Sequence, residues 1–166
     1  MKRALLSASL VVLACGCISS QQPAAKASPS TQVVAGGCAG TVLTRAEPPA
    51  WAQGGWTHTK GTPWSVPWAI AVPGDAVAFV FATELVAGSS PRADGSQNKI
   101  LWVVKNPSDF VVEGRPLGQP QPVVTVDGGP SIVDVPTPGC WTFQVLRGKQ
   151  SSVINLQVLP VGSLPS

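Results

Sequence analysis

From residue 36 onward, apolar and polar residues alternate in short runs with a period of two, the mark of half-buried strands. The clearest run is 139–145, where Trp141, Phe143 and Val145 fall on one face and Thr142 and Gln144 on the other. Pro136 and Pro138 stop the preceding strand, and Gly139 permits a tight entry. Residues 147–150 read as a hairpin turn. Residues 152–159 then set Ile154, Leu156 and Val158 against Asn155 and Gln157. Upstream, the same reasoning predicts strands over 41–44, 66–72, 76–83, 110–113, 123–126 and 131–135, with turns at Pro73-Gly74-Asp75 and Asp127-Gly128-Gly129-Pro130. Residues 99–105 are apolar on both faces, as in a central strand. Residues 86–98 and 114–122 read as loops, and 47–64 takes no regular assignment. About nine short strands separated by turns predict an all-β, antiparallel two-sheet sandwich.

The first 35 residues follow different rules. Lys2-Arg3 precedes an uncharged apolar run from Ala4 to Ala14, the layout of an export signal. That run is too short to span a bilayer permanently. Residues 18–35 are rich in Ser, Gln, Ala and Pro without apolar periodicity, the composition of a flexible tether. Eighteen residues of this kind hold a domain about 25 Å from its anchor on average. The expected organisation is a signal peptide over 1–14, a modified N-terminus and tether over 15–35, and a folded domain over 36–166.

Three resemblances sharpen this picture. Val12-Leu13-Ala14-Cys15 resembles a bacterial lipobox, in which the cysteine is lipidated and becomes the new N-terminus. Cys17, preceded by Ala14-Cys15-Gly16, fits the same pattern and is the alternative. The resemblance implies a lipoprotein held on the extracytoplasmic side of a bacterial membrane, with the lipid bilayer as its first partner. Residues 131–159, with Gly139-x-Trp141 where such domains often carry Gly-x-Tyr, resemble the last three strands of an immunoglobulin-like domain. The Cys…Trp…Cys spacing of that family is absent. Finally, Lys99-Ile100-Leu101-Trp102 with Pro130-Ser131-x-x-Asp134-Val135-Pro136 and Pro138-Gly139-Cys140-Trp141 resembles a pattern in uncharacterised bacterial secreted proteins and lipoproteins. It implies export and an all-β domain, and it carries no known activity.

Composition bears on the fold and on the partners. The 17 Gly and 17 Pro suit many short strands joined by turns. Charged residues make up 11 %, and the formal charge of +3 falls to +1 once Lys2 and Arg3 are set aside. With no run of Lys or Arg, nucleic acid is not expected as a partner.

The candidate chemistry is thin. Cys38 and Cys140 remain after the lipobox pair, and in an oxidising compartment two such residues most often form a bridge. Closing a loop of about 100 residues stabilises by about 4–5 kcal/mol in the chain-entropy treatment. A metal-binding or catalytic thiol is the alternative, but the chain has one His and its domain has no CxxC. That residue, His58, reads as a surface residue; a hydrolase would have to use it, and no Gly-x-Ser-x-Gly elbow accompanies it. Asp94-Gly95-Ser96-Gln97-Asn98 places oxygens at alternate positions but lacks the later Gly and Glu of a calcium loop, so a plain turn is expected. No cofactor and no metal is expected.

Six tryptophans remain. Trp102 and Trp141 sit in patterned strands and belong to the core. Trp51, Trp56, Trp64 and Trp68 are interleaved with Gly and Pro. Packing beneath a long loop is the first reading for them, and a surface platform for sugar rings or a protein partner is the second. Two function classes follow: a non-enzymatic, lipid-anchored sandwich that binds an envelope protein or serves the envelope structurally, and a cell-wall-glycan-binding module using the Trp51–Trp68 cluster.

Overall fold

The computed structural model describes residues 33–106 and 108–162. The expected signal segment, the lipidation candidates Cys15 and Cys17, and the expected tether as far as residue 32 lie outside the described residues. In chain order the strands are β1 (Val33–Val34), β2 (Leu43–Thr44), β3 (Trp68–Ile70), β4 (Ala76–Val80), β5 (Leu85–Val86), β6 (Lys99–Val104), β7 (Val111–Pro116), β8 (Val124–Asp127), β9 (Gly129–Ile132), β10 (Gly139–Arg147) and β11 (Gln150–Leu159). They form two sheets. One has the order β1-β2-β3-β4-β6-β9 and the other β5-β11-β10-β7-β8. Every strand pairing is antiparallel except β5 with β11. The fold is all-β and sandwich-like.

The two sheets share one core. Ala78, Ile100 and Trp102 come to it from the first sheet, and Val112, Trp141, Phe143, Ile154 and Leu156 from the second. The rings of Trp102 and Phe143 meet across the gap with centroids 5.6 Å apart. In β10 and β11 the inward side chains are those of the period-two pattern, because only one face of the pleat meets the opposite sheet. Gly148, at φ +56°, begins the two-residue turn between them.

The centre of the first sheet is covered on both faces. All five residues of β4 are buried, which no half-exposed strand allows. Ala76, Ala78 and Val80 face the second sheet, while Val77 and Phe79 face a separate cluster with Ala52, Trp64 and Trp68. Leu101 and Val103 of β6 pack against that same cluster. The 47–66 segment, with a single 3-10 turn at Ala50–Ala52, is therefore a third layer laid on the outside of the first sheet.

Local differences from the pattern have physical causes. Val33 and Val34, expected at the end of the tether, pair with Leu43–Thr44 as β1. Residues 85–86 form β5, too short to leave a periodicity. The expected turn at 127–130 gives up Gly129 and Pro130 to β9, and the chain crosses here from one sheet to the other. Pro130 is tolerated because β9 is an edge strand. Gly128 is required at the crossing, since a Cβ there would lie 2.5 Å from the Phe110 ring.

Candidate functional site

Cys38 and Cys140 are joined by a disulfide, with Cα atoms 5.9 Å apart. Cys38 follows β1, and Cys140 is the second residue of β10. The bond therefore ties the domain's entrance to a central strand of the second sheet.

The four tryptophans of the 47–68 segment do not form a common surface. Trp64 and Trp68 are 3 % and 8 % exposed, so a platform of four exposed indoles is excluded. Trp68 points its indole N–H at Ala46 O, 2.8 Å away. Trp64 packs between Trp56 and the His58 ring, with centroids at 5.8 and 4.2 Å. Trp51 and Trp56 are half-buried against the same cluster. Trp56 also lies near-parallel to Phe81, at 5.8 Å and 17°, and Phe81 is 43 % exposed. The Lys99 ammonium sits 5.3 Å from the centroid of the Phe81 ring. Burial wins because β4 and β6 present an apolar outer face that the indoles cover, each gaining the stabilisation of a large aromatic removed from water.

Beside this layer lies a groove of about 290 Å³, at the end of the molecule where the chain leaves β4 for β5. Leu43, Val66, Phe81, Leu85 and Leu159 give it apolar walls. Arg45 and Glu84 also line it, but they do not pair. The Arg45 guanidinium donates to the carbonyls of Trp64, at 3.2 Å, and of Ser65. One Glu84 carboxylate oxygen is buried without a hydrogen-bond partner. These residues come from segments more than a hundred positions apart, so no local motif points to them.

No family model, curated protein or solved structure matches this chain.

The remaining candidates resolve one by one. His58 is half-buried on Trp64 rather than free on the surface, and no hydroxyl or carboxylate bonds to it among the described residues. Among those residues no group of three or more His, Cys, Asp or Glu is placed to hold a metal ion. Asp94 accepts the Ser96 hydroxyl at 2.6 Å and the Ser96 N–H at 2.9 Å, closing a turn. Those bonds, the hydroxyl's first, hold the Asp94 carboxyl below the ordinary carboxylate range. What the arrangement offers chemically is apolar contact: a groove with an aromatic rim, one cation already committed to carbonyls, and one carboxylate.

Proposed function

We propose that this chain is a lipid-anchored extracytoplasmic protein with a binding or envelope-structural role and no catalysis, and that its folded part is an immunoglobulin-like sandwich. The observation that carries the address is in the sequence. A charged start, an apolar run and a small-residue approach to Cys15 or Cys17 coincide within the first 17 residues. The Cys38–Cys140 bridge supports it, since disulfides persist in oxidising compartments.

The immunoglobulin-like reading is supported by strand order. β4, β6 and β9 take the places of strands A, B and E in one sheet, and β7, β8, β10 and β11 those of C, C′, F and G in the other. β5 continues the first strand onto the second sheet, beside the last one. Strand D has no counterpart among the described residues, and β1 to β3 extend the A edge. The corner before β10 supports it further. Trp141 donates its indole N–H to Thr137 O at 2.9 Å, four residues upstream. That is the bond a tyrosine makes at this corner in immunoglobulin domains. Trp102 and Phe143 fill the space between the sheets that a B–F disulfide fills in antibody domains.

Metabolic labelling with palmitate tests the address. Wild-type protein is expected to incorporate the label, and the double variant Cys15→Ala/Cys17→Ala to lose it. Full labelling of the double variant would refute the anchor. The groove rather than the indoles is the binding surface in this reading. Cell-wall glycans are accordingly expected to leave tryptophan emission unchanged, and a saturable shift would revive the glycan-binding alternative.

A further inference from the structure

The main-chain groups of β11 point alternately toward β10 and away from it. On the outward side, between Val153 and Leu159, several are met by other pieces of chain. Val153 exchanges both of its bonds with Val72, at 2.9 Å each. The Leu159 carbonyl accepts from Ala87 N–H at 2.9 Å. Between these two, residues 36–41 cover the edge. Cys38 N–H donates to Asn155 O at 3.3 Å, Gln157 N–H donates to Gly36 O at 2.8 Å, and Asn155 N–H donates to Thr41 Oγ1 at 2.9 Å.

This middle cover differs from its neighbours in what holds it. Its sequence is Gly36-Gly37-Cys38-Ala39-Gly40-Thr41, with almost no apolar surface to bury. Val72 is held in sequence by β3, and Ala87 follows β5. The 36–41 segment is the loop between β1 and β2, which pair with each other in the first sheet. Besides its hydrogen bonds to β11, including Asn155 Nδ2 to Ala39 O at 3.4 Å, its tie to the second sheet is the bond from Cys38 to Cys140, on the strand next to β11. Both cysteines are half-buried and lie outside the apolar core.

We propose that the Cys38–Cys140 disulfide is a redox latch over the edge of β11. A dithiol reductant supplies two electrons and two protons and leaves as its own disulfide. The S–S bond breaks, and two S–H bonds form on Cys38 and Cys140. The 36–41 segment then lifts, and the edge from Asn155 to Gln157 is uncovered while Val72 still covers Val153. An open edge of this kind is a template for strand pairing, and the latch keeps it closed under oxidising conditions. The proposal does not depend on the lipid anchor.

Amide hydrogen exchange on the full-length protein in detergent, with and without a dithiol, reads this directly. Val153 and Phe143 serve as internal references, because any global loss of stability speeds them too. On reduction, exchange of Asn155 and Gln157 relative to Val153 is expected to rise by about tenfold or more. The variant Cys38→Ser/Cys140→Ser is expected to show the same ratio without reductant. An unchanged ratio, with thiol titration showing both cysteines free, would overturn the latch. Parallel loss of protection at Val153, Asn155 and Gln157 would overturn it too, by making the bridge a support of the whole fold.

Discussion

Asn98 has no exposed surface, yet it sits at the end of a stretch, 86–98, that reads as a long polar loop. Its amide donates to Val86 O at 2.7 Å, and its oxygen accepts from Val86 N–H at 3.0 Å and from Arg92 at 3.1 Å. One side chain thus stands in for a strand neighbour and pins the 86–98 loop. Asn98→Ala leaves two buried backbone groups without partners and is expected to cost about 2–4 kcal/mol, measured by urea unfolding. Gly114 is a second position of this kind. A Cβ there would lie 2.8 Å from Phe143 Cε1, in a ring fixed by the core. Gly114→Ala is expected to cost about 1–3 kcal/mol by overpacking. Neither role is visible in the sequence, where an Asn in a loop and a Gly in a strand carry no signal of what they touch. At Asp94 the folded carboxyl titrates below its ordinary value. The turn it closes is thus fully supported above that value and loosens as pH falls through the depressed one. An NMR titration of the Asp94 carboxyl is expected to show the lowered midpoint, and Ser96→Ala to raise it.

At the scale of elements, β10 and β11 were legible because one face of each is buried and the other is not. β6 was legible as a central strand from its two apolar faces. The cause of the second apolar face was not, because the indoles that cover it come from a segment without periodicity. Trp64 and Trp56 differ in this layer by burial. Trp64→Ala is expected to cost about 3–5 kcal/mol and Trp56→Ala clearly less, with the order checked by thermal unfolding. β1 and β5, at two residues each, are set by their partners in the sheet rather than by their own sequences. The groove was illegible for the same reason. It exists only where β2, the 81–84 crossing and the end of β11 come together.

For the whole molecule, the chain divides into a part whose message is written locally and a part whose message is written in three dimensions. The expected signal and the lipidation candidates rest on residue type and order alone, and the pairing of Cys38 with Cys140, which the structure bears out, was expected on the same grounds. The layer over the first sheet, the groove and the latch depend on contacts between distant segments. The two parts meet in a domain closed by a disulfide and, as proposed above, held to a membrane by a lipidated cysteine. Intact-mass spectrometry of the protein taken unreduced from its own membranes, after thiol alkylation, measures both at once. The expected result is a chain that begins at Cys15 or Cys17, carries a lipid mass on that residue, and has no alkylated Cys38 or Cys140. A chain with an unmodified N-terminus and two alkylated domain cysteines would contradict the account.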